Sequence, residues 1–321
     1  MTTDGQEPQL DLLVHRMTWE ADGVLGIELT RPDGTPLPAW APGAHIDVHT
    51  GGHIRQYSLC SDPADPTRWR IGILKEPASR GGSAHIHTQL RPGQTLRVQG
   101  PRNHFELDAE GNAGSFLFIA GGIGITPILA MAREATRRAI PWRLVHGGRT
   151  RTSMAFGAEL TALAELPGGS VEFVPQDEQG HIDLDTLLGD LPADTQVYCC
   201  GPEPLLAAVE ERCPTARTER FAAPTAAPRD GEDTGFDVVC SRTGTTVQVG
   251  PDTSVLDALE GAGISVPSSC RDGICGTCET KVLEGTPDHR DFLLSDTEKA
   301  TGASMMPCVS RACTPRLVLD L

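Results

Sequence analysis

Cys270-Arg271-Asp272-Gly273-Ile274-Cys275-Gly276-Thr277-Cys278 places three thiols within nine residues, and a fourth, Cys308, follows after twenty-nine intervening positions. Thiolates at C-x4-C-x2-C, completed by one distant cysteine, are spaced to hold a [2Fe–2S] cluster, one tight loop delivering three ligands and a separate segment the last. Gly273 and Gly276 suit a loop wrapped around iron and sulfide, where the backbone comes close and turns through positive φ. A structural zinc site would use the same sulfurs, but its ligands ordinarily arrive as two C-x2–4-C pairs on separate knuckles, not as three plus one. Cys270, Cys275, Cys278 and Cys308 are therefore read as the ligands of a two-iron cluster.

The rest of the chain is long enough for more than this one module. Its 321 residues allow two or three domains, each with its own core. Twenty-seven basic against forty-three acidic residues give a net charge of −16. Such a surface repels phosphate backbones and anionic lipid, which argues against nucleic acid and membrane partners and favours a protein partner with a basic patch. Met1-Thr2-Thr3-Asp4-Gly5-Gln6-Glu7 is polar and acidic rather than an export signal, so the ten cysteines are expected to be reduced and the protein cytoplasmic. The uncharged stretch from Ser115 to Ala132 could pass for a membrane span. Gly121, Gly122, Gly124 and Pro127 at its centre break a single helix and predict strand, loop and helix instead.

Texture divides the sequence. Up to about residue 107, short β-type runs such as His45-Ile46-Asp47-Val48 and Arg70-Ile71-Gly72-Ile73-Leu74 are split by Pro and Gly, which predicts an antiparallel barrel. From about 115 to 222, apolar strands alternate with Ala-, Glu- and Leu-rich helices at Pro127–Arg138 and Glu203–Arg212, which predicts a parallel α/β sheet. Ala222 to Gly231 is small and Pro-rich and reads as a linker. Phe236–Cys240 and Thr246–Val249 flank Thr243-Gly244 as a hairpin, and a short helix from Ser254 to Glu260 precedes the cysteine loop.

Three further stretches carry candidate chemistry. Gly121-Gly122-Ile123-Gly124-Ile125-Thr126-Pro127 follows a buried strand and opens a helix, the context in which a glycine loop holds a pyrophosphate at a helix N-terminus. Pro127 stands where G-x-G-x-x-G would have its third glycine, and a ligand-free tight turn is the alternative. Cys199-Cys200-Gly201-Pro202 ends a second strand of the same sheet and would line the same crevice. In the barrel, Arg55-Gln56-Tyr57-Ser58 sets a guanidinium, an aromatic face and a hydroxyl on one extended segment, suited to a phosphate, a planar ring and a ring nitrogen. An ordinary strand would read the same way. Arg80-Gly81-Gly82-Ser83, ahead of a helix predicted over Ala84–Leu90, offers backbone N–H groups and a hydroxyl to an anion. Cys60, Cys199, Cys213, Cys240 and Cys313 fit no ligand spacing and are expected to be buried small apolar residues.

Arg55-Gln56-Tyr57-Ser58, Gly121 to Pro127, Cys200-Gly201-Pro202 and the four C-terminal cysteines occur in an order that resembles the phthalate dioxygenase reductase and vanillate demethylase reductase family. The resemblance spans nearly the whole chain and implies a multidomain β + α/β + α+β protein. Its parts would be an antiparallel flavin-binding β-barrel over 1–107, a ferredoxin-reductase-type parallel α/β nucleotide domain over 108–222, a linker over 223–234 and a C-terminal β-grasp ferredoxin with a plant-type [2Fe–2S] cluster over 235–321. It implies that Arg55 holds the phosphate of FMN with Gly82 and Ser83, and that Tyr57 and Ser58 contact the isoalloxazine. Gly121, Gly122, Gly124, Thr126 and Pro127 would form the dinucleotide loop, Cys200, with Gly201 and Pro202, would lie near the nicotinamide, and Phe221 would pack by the flavin.

NADH delivers two electrons together, whereas a cluster takes one at a time, so a flavin is needed between them. No acid–base or nucleophilic residue is expected to be essential. Gln176-Asp177-Glu178, after the predicted third strand, would repel the 2′-phosphate of NADPH and favours NADH, while Arg149 and Arg151 leave NADPH open. The expected function is the reductase component of a two-component oxygenase, serving a Rieske non-haem iron partner. The same chain feeding a cytochrome P450 is one alternative, and a non-catalytic zinc- or cluster-binding sensor is another.

Overall fold

The computed structural model describes residues 8–76, 81–108, 111–224 and 233–321, and the chain divides into two compact units, Met1–Phe221 and Ala222–Leu321. The two predicted upstream domains thus belong to one unit. Most of the predicted linker, and Arg80, lie outside the described residues.

In the first unit β1 (Gln9–Ala21), β2 (Val24–Thr30), β3 (Ala44–Thr50), β4 (His53–Ser58), β5 (Trp69–Leu74) and β6 (Thr95–Asn103) form an antiparallel sheet ordered β4-β3-β6-β1-β2-β5. A bridge between Leu59 and Ile71 joins the β4 edge to the β5 edge and curls the sheet toward a barrel. Alternation decides which side chains fill it: Ile27, Leu29, Ile46, Val48, Ile71 and Ile73 are fully buried around Trp69. Helix α1 (Gly82–Gln89) adds Ile86 to this core and starts two residues before the predicted Ala84.

On the other face of β3, Asp47 is almost fully buried, 2.6 Å from the equally buried Arg102 of β6, and accepts Gln56 Nε2 at 2.7 Å. A carboxylate taken out of water is tolerated only with such partners.

The second half of this unit is a parallel sheet ordered β11-β10-β7-β8-β9. Its strands are β7 (Ser115–Gly121), β8 (Trp142–Gly148), β9 (Gly169–Pro175), β10 (Thr195–Cys200) and β11 (Arg217–Glu219). Phe116 to Ala120 are buried on both faces, as a strand covered by helices on each side must be. The uncharged stretch resolves as β7, a 3₁₀ turn over Gly122–Gly124 and helix α2 (Ile125–Arg137). Among the described residues no helix is long and apolar enough to cross a membrane. Helices α3 (Gly157–Ala164), α4 (Gln176–Gln179), α5 (Leu184–Leu188) and α6 (Glu203–Arg212) complete this half. Arg70 of β5 is forked onto Glu159 of α3 at 2.8 and 2.9 Å, which ties the barrel to the parallel sheet.

In the second unit β12 (Phe236–Cys240), β13 (Thr246–Val249), β14 (Thr280–Glu284), β16 (Ser304–Met305) and β18 (Arg316–Leu319) form a mixed sheet, with β12 parallel to β18 and antiparallel to β13. Helix α7 (Val255–Gly261), capped by the Ser254 side chain, buries Val255, Leu256 and Leu259 against it. β15 (Pro287–Asp288) pairs with β17 (Arg311–Ala312), and α8 (Asp296–Thr301) opens on a capping box at Ser295 and Glu298. This is the β-grasp arrangement the resemblance implied.

Replacing Arg102 by Met would leave Asp47 buried without its cation. The expected loss is about 3 kcal/mol or more of stability in denaturant unfolding, and a change below about 1 kcal/mol would show that Gln56 alone satisfies the carboxylate.

Candidate functional site

Strand order reverses between β7 and β10: β8 and β9 lie on one side of β7, β10 and β11 on the other. Chains leaving the carboxyl ends of β7 and β10 diverge there, and the crevice they leave is where open parallel sheets hold ligands. Two loops meet backbone to backbone at this point. A Cβ on Gly124 would strike the Cys200 carbonyl and lie 2.8 Å from the Gly201 nitrogen, and one on Gly201 would lie 3.0 Å from the Gly121 Cα. Gly122 takes φ +55° beside open space, so its backbone faces the crevice without obstruction.

Helix α2 begins directly after this turn with no side-chain cap on its N-terminus, and Thr126 and Pro127 are buried in its first turn. The Thr126 hydroxyl donates to the Ile123 carbonyl at 3.0 Å and braces the turn. His146 of β8 is fully buried, and burial pushes its pKa down to about 4, so the neutral ring donates Nε2–H to the Gly122 carbonyl at 3.2 Å. These residues could hold a dinucleotide's pyrophosphate on backbone N–H groups.

The barrel brings its own candidates to the same unit. A Cβ on Gly82 would lie 2.8 Å from Arg55 Cγ, so the guanidinium stem and the start of α1, with the buried Ser83, form one cradle. That cradle suits a phosphate. Tyr57 packs against the barrel core, and burial pushes its phenol up to about 12. Gln56 is engaged with Asp47, which gives it a role in holding β3 to β4.

Ser58 and Cys200 are brought together by a residue that sequence reading missed. Glu219, paired in register with Cys200, sets Oε2 3.5 Å from Ser58 Oγ and 4.0 Å from Cys200 Sγ. Although the residue keeps some surface, its carboxyl end is enclosed, and burial pushes its pKa up to about 8 against a small opposing effect of the Ser58 hydroxyl. A buried carboxyl in this position holds a proton through neutral pH. Burial, then the neighbouring Glu219, also pushes the Cys200 thiol well up, so it stays protonated. Arg217-Thr218-Glu219-Arg220 reads in sequence as a solvated polar run, and only the fold turns Glu219 inward. Phe221, the next residue but one, is exposed.

The four predicted cluster ligands converge in the second unit as two pairs. Cys278 and Cys308 sulfurs are 3.3 Å apart, and Cys270 is hydrogen-bonded to Cys275, which holds the Cys270 thiol below its usual range. Two sulfurs for each of two irons is what a [2Fe–2S] cluster requires. Among the described residues no three His, Cys, Asp or Glu side chains converge on a single point that would hold one metal ion.

Asp272 N–H donates to Cys270 Sγ at 3.3 Å, and Thr277 Oγ1 lies 3.2 Å from Cys275 Sγ, contacts of the kind that tune a cluster. Gly273 turns at φ +72° with Val309 and the Asp291 backbone where a Cβ would stand. Arg271, itself at φ +59°, forks onto Glu260 and Asp257 of α7 and anchors the loop to the helix. Of the remaining cysteines, Cys60, Cys199 and Cys240 are buried as expected. Cys313 is exposed and Cys213 half-exposed, each in the connection just past an element, β17 and α6 respectively.

A sheet of nucleotide-binding topology beside a barrel whose Arg55–Gly82 cradle suits a phosphate, with four cysteines paired as a two-iron module in the same chain, marks an iron–sulfur oxidoreductase. The oxidoreductase NAD-binding domain family matches residues 118–211, and the 2Fe-2S iron–sulfur cluster binding domain family matches 238–313. Vanillate O-demethylase oxidoreductase of Pseudomonas sp. (strain HR199 / DSM 7063) is 41% identical over 97% of this chain and 100% of its own. The solved phthalate dioxygenase reductase, described as a modular structure for electron transfer from pyridine nucleotides to [2Fe-2S], is 36% identical over 98% of both chains with a TM-score of 0.69. An intact type IV self-sufficient cytochrome P450 monooxygenase is 43% identical with a TM-score of 0.90 over 100% of this chain, which spans 43% of that longer one. The chain belongs to the phthalate dioxygenase reductase and vanillate O-demethylase oxidoreductase family.

The inward Glu219 has a consequence for stability. Its carboxyl titrates near 4.5 when unfolded and near 8 when folded, so between those values the folded chain holds one extra proton and stability falls as pH rises. Glu219→Gln is expected to flatten the fall in melting temperature from pH 5 to 8. An unchanged slope would mean that the carboxyl is ionised in the folded protein.

Proposed function

We propose that this chain is the reductase component of a two-component oxygenase, taking electrons from NADH through FMN and a [2Fe–2S] cluster and passing them singly to a Rieske-type terminal oxygenase. The observation that carries the reading is the joint presence of the β7/β10 crevice, the Arg55–Gly82 cradle and the two cysteine pairs in one chain. Relatives named as parts of dioxygenase and demethylase systems along nearly their whole length support it.

Bound flavin and cluster supply the exchange between paired and single electrons. The protein's share is placement. Gly121, Gly122 and Gly124 with the α2 N-terminus hold the dinucleotide, Cys200, Gly201 and Pro202 border its nicotinamide, and Arg55, Gly82 and Ser83 hold the flavin phosphate. Tyr57 gives the flavin ring an apolar face, and Ser58 faces its reactive edge. Glu219 keeps a proton on its carboxyl beside Ser58, so no negative charge stands where a hydride must pass. Cys270, Cys275, Cys278 and Cys308 hold the cluster, and the exposed Phe221 is free to pack by the flavin. The functional modules are then 1–107, 108–222 and 235–321, joined by 223–234, in a reducing cytoplasmic setting that suits ten free thiols.

Gln176, Asp177 and Glu178 form α4 directly after β9 and argue for NADH. The Arg151 guanidinium lies 4.4 Å over the Phe173 ring, an engagement that competes with binding a 2′-phosphate. A cytochrome P450 partner is the second reading, favoured by the match to the reductase-sized portion of the self-sufficient P450.

Cys275→Ser is expected to abolish electron delivery to a reconstituted oxygenase and to cytochrome c while leaving NADH-dependent flavin reduction within about twofold of the parent, since hydride transfer needs no cluster. Loss of both activities would overturn the separation of the two steps. Reconstitution with a Rieske oxygenase and with a P450, side by side, decides the partner.

A further inference from the structure

Past Cys200 the chain continues through Gly201 and Pro202 into α6, whose first residue is Glu203, and it returns along β11 to the segment Thr218-Glu219-Arg220-Phe221. Side chains alternate there. Glu219 turns to Ser58 and Cys200, whereas Thr218 and Arg220 turn to α6.

The Arg220 side chain is only 14% exposed. Its Nε donates to Glu203 at 3.0 Å, and one terminal nitrogen donates to Glu203 at 3.4 Å and to Glu210 at 2.7 Å. The other terminal nitrogen donates to Thr218 Oγ1 at 3.2 Å, and that hydroxyl donates to Glu210 at 2.6 Å. One guanidinium therefore spans two carboxylates seven residues apart on α6. An isolated surface ion pair contributes little, but a largely enclosed fork with several charge-assisted bonds fixes geometry.

What it joins matters more than its strength. Glu203 follows directly on the loop that borders the nicotinamide in the proposed reading, and Arg220 stands between Glu219 and Phe221. We propose that Arg220 is a positioning residue for hydride transfer: forked across Glu203 and Glu210, it locks the 219–221 backbone to the 200–203 loop and so holds Glu219 against Ser58 and Cys200. This rests on the electron-transfer reading and extends it to a residue whose guanidinium is committed to Glu203, Glu210 and Thr218. Around the Glu219 carboxyl stand Ser58 Oγ from β4 and Cys200 Sγ from β10, while its neighbour Arg220 is committed to Glu203 and Glu210.

The test uses full-length holoprotein with Arg220→Met, which keeps the aliphatic stem, and Arg220→Lys, which keeps only a point charge. Stopped-flow reduction of the flavin by NADH is expected to slow by about tenfold or more in Arg220→Met, since small misplacements at a reacting pair are costly. Arg220→Lys should recover part of the rate, and the NADH concentration for half-saturation should change less than the rate. Independently of turnover, carbon-13 NMR of the oxidised full-length holoprotein, with the Glu219 signal assigned through Glu219→Gln, should give a titration midpoint near 8 in the parent. Arg220→Met should shift that midpoint down toward the ordinary glutamate range as the carboxyl reaches water.

A variant with a lowered melting temperature but parental rate and midpoint would make Arg220 a mere anchor and overturn the proposal. If Arg220→Met does not fold, Glu210→Gln carries the same two readouts with the same expected directions. Should the parent take no electrons from NADH, the electron-transfer reading fails, and the NMR midpoints still decide whether Arg220 positions Glu219.

Discussion

Backbone lies against backbone where the loop after β7 meets the loop after β10, with no room for a side chain on Gly124 or Gly201. Much of the first unit follows from that contact. It fixes the crevice at the strand-order reversal, sets the N-terminus of α2 toward it and brings Cys200 to its wall. β11 pairs alongside β10, so Glu219 arrives opposite Cys200 and within reach of Ser58 from the barrel. The barrel is tied to the parallel sheet by Arg70, one terminal nitrogen of which donates to both Glu159 oxygens. A nucleotide loop, a thiol, a proton-bearing carboxyl and a hydroxyl are thus assembled from residues up to 161 positions apart.

Electrostatics inside this assembly differ from those outside. The surface is strongly acidic, with a net charge of −16, yet the carboxyl nearest the crevice is kept neutral by burial. A neutral acid lets the site exclude water without burying an unpaired charge. In the second unit the opposite effect acts on sulfur: the Asp272 N–H points at Cys270 and Thr277 at Cys275, contacts that favour the thiolate, and Arg271 ties the loop to α7 instead of to the sulfurs. The loop's shape is therefore carried by the protein.

Much of this was legible in the sequence wherever chemistry dictates spacing. The four cysteines are fixed by the size of a cluster, and the glycine loop by the need for close backbone approach, so both could be placed by number. Helix α6 was predicted to the residue, while α1 began two residues early because Gly82 and Ser83 join it. Glu219, Arg220 and His146 were invisible for a shared reason. Each acquires its role from a partner far away in sequence, and nothing about a glutamate in a charged run or a histidine in an apolar strand announces the turn inward. Gln56, in the same barrel segment as Arg55, Tyr57 and Ser58, donates its side-chain amide to Asp47, a bond that its place in the sequence does not announce. Cys313 has no ligand spacing to set it apart from the buried thiols, yet it stands exposed just past β17.

The most direct measurement is an anaerobic titration of the purified protein with NADH, followed by visible absorbance and electron paramagnetic resonance, with release and identification of the flavin. Broad cluster absorbance over a flavin band, bleaching of both, a reduced-cluster resonance and free FMN are the expected result. A colourless protein that contains zinc and does not respond to NADH would contradict the account.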